Sequence, residues 1–113
     1  MHELGIVFYI IKDVKKVAVE NNVNHVTKVT MDIGEVSLIV PEYLVDCWKW
    51  AVTKEPLLTD CELVINILPA ITYCEHCKSE YPTVQHGKIC PRCGSDQTYL
   101  LHGNEVEIRE IEV

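Results

Sequence analysis

Apolar residues recur at helical spacing near the start of this chain. Between about residues 4 and 21 they follow one another at intervals of three and four, with lysines and acids between them. The apolar positions are Leu4, Val7, Ile10, Ile11, Val14, Val17 and Ala18. This pattern predicts an amphipathic helix that ends at Asn21-Asn22.

A second helix is predicted to begin at Pro41. Proline suits the first turn of a helix, and Glu42 beside it suits the positive end of the helix dipole. Pro56 is predicted to stop this helix. Its apolar stripe consists of Leu44, Cys47, Trp48 and Ala51.

Three segments alternate apolar and polar residues, which predicts strands with one buried face. They span about residues 25–35, 61–67 and 105–113, and Pro69 closes the second. In the third strand the alternation slips at Arg109-Glu110, as at a β-bulge. The sequence predicts an α+β fold with a small three-stranded sheet and two helices.

Four cysteines form two pairs between the second and third of these strands. Cys74-Glu75-His76-Cys77 and Cys90-Pro91-Arg92-Cys93 are separated by twelve residues. A Cys-x-x-Cys pair places two thiolates on one side of a metal ion, and a second pair completes a tetrahedron. Disulfides are the weaker interpretation without a secretory signal, and a redox motif would need only one pair.

Residues 73–101 contain few large apolar side chains, so this segment needs a metal to fold. The sequence predicts an inserted zinc ribbon at 71–101, within a domain formed by 1–70 and 102–113. Zn²⁺ is expected as a structural ion, since four thiolates leave no open position for catalysis. Iron stays as an alternative, because rubredoxin-like sites also use paired Cys-x-x-Cys loops.

Composition limits the classes of partner and location. The 113 residues carry a net charge of −7, with no basic segment, which argues against nucleic-acid binding. No apolar run reaches the length of a membrane span, and the first residues lack a signal-peptide pattern. We therefore expect a cytoplasmic protein without a membrane contact.

The first three residues permit a second metal site. The α-amine of Met1, with the amide nitrogen and imidazole of His2, can close fused chelate rings on one ion, and the Glu3 amide can add a fourth nitrogen. Such a planar nitrogen set favours Ni²⁺ or Cu²⁺ over zinc. Taken alone, His2 and Glu3 have an equally plain interpretation as a solvated side chain and a first-turn acid.

Together these features resemble the HypA/HybF family of hydrogenase nickel-incorporation proteins. The resemblance spans nearly the whole chain. It is carried by Met1-His2-Glu3-Leu4, Ile33-Gly34-Glu35-Val36-Ser37 with Pro41-Glu42, Cys90-Pro91-Arg92-Cys93-Gly94-Ser95 with the first cysteine pair, and Gly103-Asn104-Glu105-Val106-Glu107-Ile108.

The resemblance implies a metallochaperone, and not an enzyme, that delivers Ni²⁺ during maturation of [NiFe]-hydrogenase, with urease as a client of some relatives. It implies nickel binding at Met1, His2 and Glu3, structural zinc at the four cysteines, and a HypB-type GTPase and the hydrogenase large subunit as partners. Monomer and homodimer, including exchange of the ribbon between chains, stay open. A zinc-ribbon adaptor and an iron electron carrier are the alternatives.

The sequence departs from the family pattern near the second helix. Asp46-Cys47-Trp48-Lys49-Trp50-Ala51 replaces a Phe-Ala-Phe-Glu-like stretch, and Val40 stands where some relatives have an acid near the nickel, with Glu42 as a substitute. Cys47 and Cys61 are expected to be small buried apolar residues. His102 is expected to be a turn residue, with a role as an extra nickel ligand as the alternative.

The charge distribution predicts that the protein does not bind generic nucleic acid at physiological salt, because no basic face neutralises phosphates. Titration of labelled duplex and single-stranded DNA measures this. Micromolar, salt-sensitive binding would contradict the prediction and revive the adaptor function.

Overall fold

The computed structural model describes residues 3–113, in which three helices and six strands follow one another. The helices are α1 (Glu3–Glu20), α2 (Pro41–Ala51) and the short α3 (Thr83–His86). The strands are β1 (Lys28–Gly34), β2 (Glu62–Leu68), β3 (Ile71–Cys74), β4 (Glu80–Pro82), β5 (Thr98–His102) and β6 (Val106–Glu112).

Helix α1 has the predicted amphipathic pattern with one shift of its buried stripe. Ile6 is buried, whereas Leu4 and Val17 are more than a third exposed. The helix ends as predicted at the two asparagines. The Asn21 side chain donates to the Val17 carbonyl (2.8 Å), and Asn22 adopts a left-handed φ of 55°, which satisfies a free carbonyl and stops the helix.

Helix α2 begins at Pro41 as predicted but ends at Ala51, before the predicted stop at Pro56. The Thr53 hydroxyl donates to the Trp50 carbonyl (2.6 Å), and the chain tightens there into a 3-10 turn. Pro56 instead opens a second 3-10 turn. Local hydrogen bonding therefore ends this helix before the proline is reached.

The first sheet has the strand order β2-β1-β6, so β1 is central. Its second face is covered more than the alternation predicted, since Thr30 is buried. Asp32 accepts a hydrogen bond from Asn66 (3.5 Å) and pairs with Arg109 (3.5 Å). Polar partners on the flanking strands thus satisfy this face. Arg109 and Glu110 are successive exposed residues of β6, so the predicted slip in alternation is present.

The inserted segment forms a second antiparallel sheet of order β4-β3-β5. Tyr73 of β3 lies opposite Glu80 of β4 and Tyr99 of β5. The rings of Tyr73 and Tyr99 are 5.5 Å apart between centroids, a cross-strand aromatic pair that stabilises such a sheet.

The chain divides into two compact units. Of the described residues, the first comprises 3–32, 38–66 and 107–113, and the second comprises 33–37 and 67–106. The second unit is therefore larger than the ribbon predicted from the sequence. The predicted fold class is confirmed: an α+β chain with a three-stranded sheet and two helices, plus an inserted cysteine-bearing subdomain. Within residues 3–113, no helix has the length and apolar character needed to cross a membrane.

Two glycines of the second unit allow a close backbone approach. The Gly34 N–H donates to the Glu105 carbonyl (2.8 Å), and the Val36 N–H donates to the Gly103 carbonyl (2.8 Å). A Cβ atom on Gly34 would collide with the backbone of Gly103. The Glu35 carboxylate also accepts a hydrogen bond from the Ala70 amide (2.9 Å). Residues 33–37 are thus fixed within this unit through backbone contacts.

Replacing Gly34 with alanine should lower the free energy of unfolding by about 1–3 kcal/mol, because the added methyl group forces backbone to move. Gly5→Ala is a matched control. A Cβ at that exposed helical position meets nothing within 4 Å, so it should raise stability by about 0.5–1 kcal/mol. Urea denaturation of the three proteins measures both changes, and equal stabilities for Gly34→Ala and wild type would contradict the close approach.

Candidate metal centre

The two cysteine pairs meet in the second unit. The Sγ atoms of Cys74, Cys77, Cys90 and Cys93 all lie within 4.8 Å of one another. Two of the separations, Cys74 to Cys93 and Cys77 to Cys90, are 3.6 Å. Each short separation joins the two pairs, so the loops interleave their sulfurs around one centre.

Both pairs are held by the same local backbone geometry. The Cys74 N–H donates to the Ser79 carbonyl (2.8 Å), and the Cys90 N–H donates to the Ser95 carbonyl (3.0 Å), each five residues on. The residue after each pair has a left-handed backbone, with φ of 59° at Lys78 and 74° at Gly94. Glycine adopts that conformation freely, whereas lysine does so at a cost.

The sulfur positions fit a tetrahedral metal ion. A Zn–S distance of about 2.3 Å implies neighbouring sulfurs about 3.8 Å apart in a regular tetrahedron. The observed separations of 3.6 Å are close to that value. Cys74 and Cys90 are buried, Cys77 is half-buried and Cys93 is exposed. The geometry therefore suits one metal ion held by four thiolates, and solvent reaches the cluster from the Cys93 side.

Hydrogen bonds favour ionisation of two of these thiols. The hydroxyl of Ser79, 2.9 Å from the Cys77 sulfur, is the main cause of the lowered pKa of Cys77. At Cys90, burial disfavours the thiolate. The backbone N–H groups of Cys93 and Arg92 nevertheless outweigh burial and lower the Cys90 pKa to about 6.

The fourth thiol resists ionisation while no cation is bound. The backbone N–H of Ser95 favours the Cys93 thiolate, but partial desolvation of its sulfur atom and the nearby Cys74, Cys90 and Cys77 sulfurs prevail and raise its pKa to about 12, although the residue as a whole is exposed. Four thiols this close together cannot all ionise without a cation, because the resulting thiolates repel one another. A divalent cation removes the conflict, because it attracts every thiolate at once.

Few apolar contacts support the site, as the sequence predicted. Tyr81 is buried against Cys74 and Cys90, with Cys77 packed beside them. The Tyr81 hydroxyl donates to the Gly87 carbonyl (2.8 Å). A core this small supplies little hydrophobic stabilisation. Metal binding is the term that can compensate, at about 10–16 kcal/mol for zinc in comparable small modules.

Among residues 3–113, the remaining histidines and cysteines lie outside this cluster. His76 and His86 are exposed, as expected from four sulfurs filling the tetrahedron. The His102 ring nitrogen Nδ1 lies 3.2 Å from the Pro69 carbonyl at the end of β5. Cys61 is buried, which is the main cause of its raised pKa of about 11, and Cys47 is half-buried. Cys61 therefore fits the predicted small buried residue, whereas Cys47 is less buried than predicted.

Met1 and His2, two of the predicted nickel ligands, lie outside the described residues. Glu3 is the first described residue and begins α1. One carboxylate oxygen of Glu3 accepts a hydrogen bond from the Val40 backbone N–H (3.4 Å), at the start of α2. Glu42 is exposed and lies in the first turn of α2.

Sequence reasoning missed the supporting residues of the thiolate cluster. Ser79 contacts the Cys77 sulfur, and its equivalent Ser95 accepts the Cys90 amide through its carbonyl. A signal was present, because serine follows each cysteine pair at the same distance: Cys77-Lys78-Ser79 and Cys93-Gly94-Ser95.

Comparison with protein families decides the relationship. The family described as hydrogenase/urease nickel incorporation, metallochaperone, HypA matches residues 1–113. The chain belongs to this family. Similar relatives include hydrogenase maturation factor HypA of Actinobacillus succinogenes, 31% identical over 113 residues and covering 100% of this chain and 99% of that protein. HypA of Trichodesmium erythraeum is 34% identical over 114 residues, covering 100% of this chain and 96% of the relative.

The fold is also that of solved family members. The solution structure of the nickel metallochaperone HypA from Helicobacter pylori aligns with a TM-score of 0.74 at 23% identity, covering 99% of this chain and 97% of that one. At this identity the match supports the fold alone. The predicted resemblance to the HypA/HybF family is thus confirmed.

Cys93→Ala should lower the metal content and unfold the ribbon around residues 73–101, since three thiolates and a small core cannot replace the lost ligand. Most helical signal should remain, because α1 and α2 belong to the first unit. Metal analysis, limited proteolysis and far-UV circular dichroism measure these effects.

Cys47→Ala serves as the matched control for that substitution, because it removes a thiol outside the cluster and should leave metal content unchanged. A Cys93→Ala protein with full metal content and a protease-resistant ribbon would contradict the assignment of the cluster.

Proposed function

We propose that this protein is a nickel metallochaperone, which binds Ni²⁺ at its N-terminus and delivers it during maturation of [NiFe]-hydrogenase. The family match over residues 1–113 is the observation that carries this function. It covers the N-terminal residues and the cysteine cluster together. Neither an adaptor nor an electron carrier accounts for both.

Nickel is proposed to bind the Met1 α-amine, the His2 amide nitrogen and imidazole, and the Glu3 amide nitrogen. Two points support the backbone part of this set. The first N–H groups of a helix have no intrahelical acceptor, so the amide of Glu3 at the start of α1 is not used by the helix. The positive end of the helix dipole also favours a deprotonated amide nitrogen there.

The Glu3 side chain has a separate role in this proposal. Its carboxylate accepts a hydrogen bond from the backbone N–H of Val40. Val40 is the N-cap residue of α2, and its apolar side chain makes no capping hydrogen bond. That contact ties the first turn of α1 to the start of α2, so we assign the Glu3 carboxylate to positioning and its amide nitrogen to the metal. Val40 itself offers no ligand, and Glu42 is the nearest substitute in the sequence.

The four-cysteine cluster is proposed to hold Zn²⁺ as a structural ion. Cys74, Cys77, Cys90 and Cys93 supply a closed tetrahedron, and zinc prefers this set without redox change. When bound, the ion would neutralise the thiolates and fix both loops. Iron would give a coloured ferric protein, so absorbance distinguishes the two metals.

The partners follow from delivery of nickel to a maturing enzyme. The chain acts with the hydrogenase maturation machinery, and we propose a HypB-type GTPase and the hydrogenase large subunit as the specific partners. Urease as a further client and a homodimer are extensions of this proposal. A cytoplasmic location suits a site that needs four reduced thiols, and the protein is proposed to have no enzymatic activity of its own.

His2→Ala should abolish tight nickel binding while leaving the fold and zinc content intact, because His2 supplies the one side chain in the chelate. His102→Ala is the matched control, since His102 is an exposed histidine bonded to Pro69, and its nickel affinity should equal that of wild type. Calorimetric titration of the untagged proteins measures the affinities. Equal affinities for His2→Ala and wild type would remove the N-terminal site.

The same titration carries two further checks of the chelate. One extra residue before Met1 converts the α-amine into an amide and should weaken binding. Affinity should also fall as the pH drops through about 6.5, because protons compete with nickel for the imidazole. A nickel affinity that neither the added residue nor the lower pH changes would point to ligands elsewhere in the chain.

A further inference from the structure

The outer surface of α1 and α2 carries an aromatic pair that the first unit does not cover. Phe8 and Trp50 are each 51% exposed. Their rings meet edge to face, with centroids 6.5 Å apart. Trp48, by contrast, is buried, so α2 turns one tryptophan inward and the other outward. A contiguous pair of large exposed aromatic residues is typical of a binding surface.

Lysines surround this pair. Lys12 lies one helical turn beyond Phe8 on the same face of α1. The Lys54 ammonium lies 5.0 Å from the centre of the Trp50 ring. Lys15 borders the surface and pairs with Glu55 at 2.9 Å, so these two charges cancel. We call Phe8, Lys12, Trp50 and Lys54 the aromatic-lysine surface.

The two lysines give this surface positive charges, opposite in sign to the net charge of the protein, and Asp46, one helical turn before Trp50 on α2, is the nearest exposed acid on that face. Among the described residues, neither Lys12 nor Lys54 pairs with a carboxylate. The whole chain has a net charge of −7. A local positive surface on an acidic protein attracts a negative ligand to that place and repels it elsewhere, which fixes both the site and the orientation of binding.

We propose that the aromatic-lysine surface binds an acidic segment of a partner protein. One aliphatic or aromatic side chain of the segment would pack on Phe8 and Trp50, and flanking carboxylates would pair with Lys12 and Lys54. The two aromatic rings would provide apolar surface that is buried on binding, and the lysines would fix the position of the segment along the surface. A second copy of this chain is the poorer occupant, because two chains of charge −7 repel each other.

This surface is separate from both metal sites in residues and in chemistry. It uses exposed side chains of α1 and of the α2 end, and it needs neither His2 nor the cysteine cluster. The proposal therefore does not rest on nickel binding, and loss of one activity leaves the other to be measured.

The test uses three synthetic peptides and the untagged full-length protein. The first is a glutamate-rich peptide with one central leucine, the second replaces the leucine with serine, and the third replaces the glutamates with lysines. Binding is followed by Trp50 fluorescence and by anisotropy of labelled peptide. We expect the first to bind about tenfold or more tightly than the other two, and to weaken as salt is raised.

Two variants and a control locate the binding. Trp50→Ala and the double variant Lys12→Glu with Lys54→Glu should each weaken the first peptide about tenfold or more. Both change exposed side chains, and circular dichroism and metal content check their folds. The control combines Val84→Ala with Lys88→Glu, an exposed apolar residue and an exposed lysine of the second unit, and should bind as wild type does.

Other outcomes would overturn the proposal. These are no binding of the first peptide, equal binding of all three peptides, and binding that the surface variants leave unchanged. Tighter binding to duplex DNA or to phosphatidylserine vesicles would assign the surface to another class of ligand. A dimer in gel filtration that Trp50→Ala dissociates would assign it to a second copy of this chain.

Discussion

Four sulfur atoms within 4.8 Å of one another can all be thiolates only if a cation holds them, and in our proposal the ribbon depends on that neutralisation. The lowered pKa values of Cys77 and Cys90 and the raised pKa of Cys93 are two sides of one electrostatic conflict. Hydrogen bonds favour ionisation of Cys77 and Cys90, whereas desolvation and the neighbouring sulfurs oppose ionisation of Cys93. Tyr81 gives this unit too small a core to fold by burial alone. For the metal ion that we propose here, affinity and folding would therefore be one equilibrium.

Because the apolar core is small, the second unit also relies on backbone contacts made by residues 33–37. Residues 33–37 come from an earlier part of the chain, yet they add backbone hydrogen bonds from Gly34 and Val36 and a carboxylate from Glu35. These contacts organise backbone near the base of the ribbon, where side-chain packing contributes little. Gly34 and Gly103 make the approach feasible, because a side chain on Gly34 would meet backbone. Backbone pairing thus substitutes for apolar area that the segment does not have.

Local patterns predicted much of this structure, and long-range backbone contacts account for the rest. The helical periodicity predicted α1, Pro41 predicted the start of α2, and the two Cys-x-x-Cys pairs predicted the clustering of four sulfurs. The early end of α2 depended on one hydroxyl, that of Thr53, which no periodicity reveals. The attachment of 33–37 joins amides to carbonyls far away in sequence, and an amide carries no residue-specific signal. The left-handed backbone at Lys78 was hidden as well, because a non-glycine residue gives no warning of it.

The chemical contrast between the two proposed metal sites explains how one small chain can keep one metal and release another. Thiolates enclosed in a folded loop pair leave zinc no open position, so its loss requires the ribbon to open. The proposed N-terminal chelate uses nitrogen ligands from consecutive residues. A proton or a competing ligand can then displace nickel one donor at a time, beginning with the imidazole. In this proposal, the hydrogen bond from Val40 to the Glu3 carboxylate would keep the first turn of α1 in place during that exchange, so the site would accept the next ion without refolding.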